Sequence, residues 1–210
     1  MKTFALVIAL GLATVASGCS TQERSRNLGD PSVPGRVLAV QVCSNCHGAE
    51  GNSLNPVFPR LAGQKKEYLL AQLKAFHDQT RKTAEAHDYM WGLTRNLDDK
   101  AIDELAEYFS AQRPAPGQPG DTGLAAKGKA IFEQGISARN VPACASCHGQ
   151  HAEGNLIFPR LAGQHGSYLI KQIRVFHTDQ RPNSGVIMQN VVTGLDDAEA
   201  TSVAAYLQGL

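Results

Sequence analysis

Cys43 and Cys46, three positions apart, are followed at once by His47, and the same arrangement returns as Cys144, Cys147 and His148. On a helical turn this spacing puts two sulfurs on one side with an imidazole beneath them. That arrangement suits covalent attachment of a c-type haem: the thiols add across the porphyrin vinyl groups as thioethers, and the histidine nitrogen binds the iron as its proximal ligand. Zinc competes for such residues, but a structural zinc site needs four ligands, and each copy offers one cysteine pair with no second pair beyond it. A thioredoxin-type dithiol is the other alternative, and it would accompany a βαβ pattern that neither copy shows. The expected cofactors are two covalently bound haem c groups, one per copy.

The sixth iron ligand must come from later in each copy. The chain has three methionines, of which Met1 is the initiator. Met90 and Met188 each stand seven residues before a Leu-Asp-Asp sequence, so both copies keep a methionine in the same place. A methionine is usually core filler, but this scarcity and matched register make the pair candidate metal ligands beside His47 and His148. A thioether favours ferrous iron, raises the reduction potential and leaves no open position for a substrate. His77 and His177 are an equivalent pair, beside Asp78 and Thr178 at the polar end of a helix, and read as solvated. His87 is a weak competitor to Met90, while His151 and His165 read as loop and surface residues.

Pro59 and Pro159 each carry a carbonyl and no backbone N–H, so either is a candidate acceptor for the protonated ring nitrogen of its proximal histidine. A plain turn is the alternative. Arg60, Arg160, Arg81 and Arg181 also occur as duplicated pairs, and are candidates to pair with haem propionates or to lie solvated at the surface.

The elements that must position these groups are themselves repeated. Phe58 to Gln64 and Phe158 to Gln164 are identical over seven residues, and Glu50-Gly51-Asn52 returns as Glu153-Gly154-Asn155. Tyr68-Leu69, Gln72, Phe76-His77 and Arg81 match Tyr168-Leu169, Gln172, Phe176-His177 and Arg181. This is a tandem duplication, with domains expected at 36–111 and 124–210. Between them, residues 112–123 hold three Pro and three Gly and read as an extended linker. Leu69, Leu73 and Phe76, like Leu169, Ile173 and Phe176, fall at i, i+4, i+7 and predict one apolar helical stripe per copy. Asp98 and Asp196 are N-cap candidates for a final helix, with Leu97 and Ile102 spaced as a staple and Asp196 with Glu199 spaced as a capping box. No segment alternates apolar and polar residues for long, so an all-α fold with little or no sheet is expected.

Of the 210 residues, 42% are hydrophobic and 19% charged, with 20 Lys plus Arg against 19 Asp plus Glu. This balance suits a packed globular protein and gives no basic footprint for nucleic acid. Lys2, the apolar run from Phe4 to Val15 and the small residues Ala16 to Gly18 have the plan of an export signal over 1–18. Cys19 follows directly and is the odd cysteine, which resembles the lipidation site of a bacterial lipoprotein signal. Ordinary cleavage nearby is the alternative. Residues 19–35 then read as a flexible tether to a membrane.

Together the CxxCHG pair, Pro-Arg-Leu-Ala-Gly-Gln, the Tyr-Leu helix, the isolated methionines and the Leu-Asp-Asp before a final helix resemble the two-haem cytochrome c4 family over roughly 34–210. The resemblance implies two class I cytochrome c domains, each helical around one covalent haem and related by a pseudo-twofold axis. It implies Met90 and Met188 as distal ligands, with Pro59 and Pro159 hydrogen-bonded to the proximal histidines. It also implies a periplasmic electron carrier from a bc1-type complex to a terminal oxidase, rather than an enzyme. Related readings are the haem subunit of a dehydrogenase, such as a flavocytochrome sulfide dehydrogenase, or a two-haem peroxidase or thiosulfate dehydrogenase. The last two need an open or unusual iron ligand, which two copies carrying Met do not offer. Trp91, directly after Met90, and an insertion at Ile136 to Ala143 depart from the family pattern.

Overall fold

The computed structural model describes residues 25–210. The expected export signal, Cys19 and the first part of the tether lie outside the described residues. Among those residues the regular structure is helical: α1 (Gly35–Leu38), α2 (Ser44–His47), α3 (Lys66–His77), α4 (Trp91–Thr94) and α5 (Asp99–Ser110) form the first domain. The second domain holds α6 (Thr122–Gln134), α7 (Ala145–His148), α8 (Gly166–Phe176), α9 (Gly185–Val192) and α10 (Asp197–Gln208). The only bridges among the described residues are isolated ones, Ile136 with Val141 and Asn155 with Phe158.

Each domain is built on the crossing of its first and last helices, α1 on α5 and α6 on α10. The crossings are close because a glycine stands at each. A Cβ on Gly35 would run into Glu104, and one on Gly128 into the backbone of Ser202. The last helices begin on real caps. Asp98 accepts a hydrogen bond from the Ala101 N–H at 2.7 Å, and Asp196 with Glu199 forms a reciprocal capping box. Leu97 and Ile102, spaced as a staple, are both buried. Ile102, Leu105, Ala106 and Phe109 enter the first core, and Val203, Ala204 and Leu207 the second, as the 3.6-residue period requires.

The approach to the cysteines differs between domains. In the first, α1 runs through a π-helical turn, Ala39–Cys43, directly into α2. In the second, α6 ends at Gly135, and a loop containing the 3-10 turn Ser137–Arg139 intervenes before α7. Gly35 is eight residues before Cys43, and Gly128 is sixteen before Cys144, so the insertion at Ile136 to Ala143 accounts for the whole difference.

Two sequence expectations are corrected here. The tether does not stay free as far as residue 35: Val33 is buried and Leu28 packs on the first core, because both are apolar and close to α5. The Glu-Gly-Asn match between the copies is out of structural register. The Gly51 carbonyl accepts from the N–H groups of Leu61 and Ala62, and the residue that does this in the second domain is Ala152, which accepts from Leu161 and Ala162. Both Gly51 and Ala152 have positive φ, 75° and 53°. The backbone requirement was kept while the residue type drifted, and the similar triplet slid two positions along the chain.

The linker is extended and strapped down. Asn52 donates to the Arg113 carbonyl and accepts from the Ala115 N–H, while the Gln118 N–H donates to the Gln208 carbonyl.

Candidate functional site

The two CxxCH segments and the two methionines line one continuous, mainly apolar cavity of about 440 Å³ that runs through both domains. Its walls include the stripe of α3, Leu69, Leu73 and Phe76, and that of α8, Leu169, Ile173 and Phe176. Cys43, Cys46 and His47 sit at the end of the helical run through α2, and Cys147 and His148 on α7, with Cys144 at its N-cap. Met90 closes the π-helical turn Ala86–Met90, and Met188 lies within α9. The structure thus brings both candidate ligand pairs to one space, together with Arg60, Arg81, Arg160 and Arg181.

The proximal side of each site is fixed. His47 Nδ1 lies 2.9 Å from the Pro59 carbonyl oxygen, and His148 Nδ1 lies 2.9 Å from that of Pro159. A carbonyl only accepts, so Nδ1 carries the proton and Nε2 keeps its lone pair for a metal. Burial holds both imidazoles below the ordinary histidine range, opposed by the proline carbonyl, which keeps them neutral as ligation requires. Phe58 and Phe158 meet the edges of these rings at 6.1 and 6.2 Å. Burial pushes the Cys43 thiol up to about 12 and that of Cys144 to about 11. A dithiol working by exchange needs an accessible, low-pKa thiolate, so this environment disfavours the thioredoxin alternative.

The arginines divide. Arg60 donates Nε to the Ser53 carbonyl and Nη1 to the carbonyls of Gly163 and Pro116, so these donors serve the domain boundary. Arg81 and Arg181 are buried, at 5% and 6% exposure. The Nε atoms of Arg81 and Arg160 are buried without a protein hydrogen-bond partner. An orphaned guanidinium N–H on the wall of a cavity is what an anionic group such as a haem propionate would satisfy. The residues present therefore fit a haem in each half: two thiols, a neutral imidazole, a thioether, apolar walls and unspent cationic donors.

Among the histidines, His177 is exposed and His77 is half-buried and paired with Asp78. His87 is exposed and meets Trp91 edge-on at 5.2 Å, and His151 is exposed. His165 corrects its expected surface position. It is 6% exposed, and Nε2 contacts the Ser53 carbonyl of the other domain at 3.0 Å. Its local sequence is polar, and only the docking of the two domains buries it. Trp91 donates Nε1 to the Arg81 carbonyl at 2.9 Å, which gives the bulky ring after Met90 a defined place.

Sequence reasoning assigned no role to Gln64, Gln164, Tyr68, Tyr168, Gln72 and Gln172, all of which reach across the domain boundary. Their one signal was exact duplication between the two copies.

The cytochrome c family model matches residues 32–112 and again 125–210. A cytochrome c4 from Pseudomonas aeruginosa is 40% identical over 173 residues, covering 80% of this chain and 84% of the relative. A thiosulfate dehydrogenase electron acceptor from Thiomonas intermedia is 36% identical over 172 residues, covering 79% of this chain and 76% of that protein. The solved structure of Acidithiobacillus ferrooxidans cytochrome c4 superposes with a TM-score of 0.74 at 42% identity, covering 80% of this chain and 98% of that one.

Proposed function

The chain belongs to the cytochrome c family, in the two-haem cytochrome c4 group, and from that premise we propose that it carries electrons in the periplasm between membrane redox complexes, from a bc1-type donor to a terminal oxidase. The observation that carries this reading is the matched pair of sites: a carbonyl-fixed histidine and a methionine in each domain, all lining one cavity. Haem c, once attached, supplies reversible one-electron iron chemistry in a site of this kind. Cys43, Cys46, Cys144 and Cys147 would tether the groups as thioethers. His47 and His148, through Nε2, and Met90 and Met188, through sulfur, would hold the irons. A histidine and a methionine in each domain would leave no protein-free ligand position for a substrate once haem is bound, which supports a carrier rather than an enzyme.

Transfer to another protein needs an approachable edge. Val57 and Tyr89 in the first domain, and Ile157 and Ile187 in the second, line the cavity and are also 47–62% exposed. Apolar side chains at the mouth of a site suit transient docking of a redox partner in either domain. No described helix is long and apolar enough to cross a membrane; attachment is proposed to come from acylation of Cys19, outside the described residues.

The test is replacement of each methionine. Met90→Ala and Met188→Ala should retain two covalent haems by mass spectrometry, and each should lose one of the two ferric methionine-to-iron charge-transfer signals. An unchanged spectrum in both variants overturns the ligand assignment. A second reading, favoured by the match to the Thiomonas protein, makes the chain the electron acceptor of a periplasmic dehydrogenase. Co-purification with a dehydrogenase subunit that reduces it directly would select that reading.

A further inference from the structure

Where the two halves of the cavity meet, six side chains from both domains form one polar cluster: Tyr68, Gln72 and Arg81 with Tyr168, Gln172 and Arg181. Each guanidinium stacks on its own domain, Arg81 over Phe76 and Arg181 over Phe176, both 4.7 Å from the ring centroid. The hydrogen bonds cross over. Arg81 donates Nη1 to Gln72 Oε1 at 2.8 Å and Nη2 to Gln172 Oε1 at 3.0 Å. Arg181 donates Nη1 to Gln172 Oε1 at 2.8 Å and Nη2 to Gln72 Oε1 at 3.3 Å. The tyrosines act only on the opposite domain: Arg181 Nη2 donates to the Tyr68 hydroxyl at 2.5 Å, and Arg81 Nη2 to the Tyr168 hydroxyl at 3.4 Å.

Two like charges held side by side out of water are costly, and these partners offer them only neutral oxygens. Glu85, whose carboxylate feels Arg81, is itself engaged by Lys171. These crossed contacts help to set the direction in which each guanidinium points, and the field it exerts on the adjoining cavity follows that direction. Charge and hydrogen bonding next to a haem are among the protein's means of setting its potential.

We propose that Tyr68 and Tyr168 are positioning residues that work across the domain boundary, Tyr68 holding Arg181 and so tuning the second domain's haem, and Tyr168 holding Arg81 and so tuning the first. This deepens the two-haem reading and rests on it. The contacts are unequal. The Tyr168 contact, at 3.4 Å, is at the limit of a hydrogen bond, so the first haem depends on its neighbour domain less than the second does.

The experiment is a haem-resolved redox titration of the intact two-haem protein and its Tyr68→Phe, Tyr168→Phe, Arg181→Lys and Tyr68→Phe/Arg181→Lys variants. Proton NMR follows each centre, assigned to its domain by through-space contacts to its own CxxCH segment. Tyr68→Phe should shift the potential of the second-domain haem and leave the first in place. Tyr168→Phe should give a smaller shift, confined to the first-domain haem. In the Arg181→Lys background Tyr68→Phe should add nothing, because the fork it acts through is gone. A Tyr68→Phe shift at the first-domain haem alone, no shift at either haem, or full additivity with Arg181→Lys overturns the proposal. Mass spectrometry counting two attached haems in every variant tests the underlying reading separately.

Discussion

Gln64 grips both backbone polar groups of Arg160 across the domain boundary, accepting from its N–H at 2.6 Å and donating to its carbonyl at 3.0 Å. Gln164 does the same to Arg60, at 2.9 Å in each direction. One amide side chain thus substitutes for a strand partner on each side. The pseudo-twofold relation between the domains is written in these four bonds.

Gln64→Ala would leave the Arg160 N–H and carbonyl unpaired in a largely dehydrated boundary. Leaving a buried polar group unmade costs about 1–3 kcal/mol, so a loss in that range is expected in urea unfolding. Amide exchange at Arg160 should accelerate, while amides in the cores of α5 and α10 stay protected. Equal acceleration throughout would show that the contact does not act at the boundary.

Stability should fall on the acid side because of His165. Burial, then the charge of Arg60, holds its imidazole below the ordinary range, with the Ser53 carbonyl opposing them. The folded state prefers the neutral ring, so the unfolded chain takes up the proton first. The contribution is complete above the unfolded value of about 6.5. It is lost as pH falls below that value, levelling off beneath the folded pKa. His165→Gln keeps a donor for the Ser53 carbonyl and removes the titration. Its melting temperature should drop less between pH 8 and pH 5 than that of the parent protein; identical slopes would assign the acid sensitivity elsewhere.

Gly51→Ala should destabilise the first domain. Gly51 holds φ at 75°, and a Cβ there would lie 2.8 Å from the Ala62 nitrogen and 2.9 Å from Phe109 Cδ1. The left-handed backbone and the overlap together cost about 1–3 kcal/mol. Ala152 occupies the equivalent place because Leu207 stands where the first domain has Phe109: Gly63 N–H donates to the Phe109 carbonyl and Gly163 N–H to that of Leu207. A Gly51→Ala/Phe109→Leu double variant should therefore lose less than the sum of the single losses, measured by denaturant unfolding.

Cys19→Ala should move the protein from the membrane fraction to the soluble periplasmic fraction with both haems attached. Retention on the membrane with Cys19 gone would remove the lipid anchor from the account.

The attachment chemistry, the helical class and the ends of α5 and α10 were legible from local pattern, since CxxCH spacing, 3.6-residue periodicity and capping residues act within a turn or two of chain. The duplication added the pairing of Met90 with Met188, because two copies of one unit expose what a single copy would hide. What the pattern missed shares one physical cause. Gln64, Tyr68, Gln72 and His165 belong to no chemical motif along the chain, and their partners are some 95 to 115 residues away. Only docking one domain against the other removes water from them and makes their hydrogen bonds obligatory. The Gly51 and Ala152 equivalence was hidden for a related reason: backbone conformation and hydrogen bonding decide that register, and a letter-by-letter match follows side chains instead.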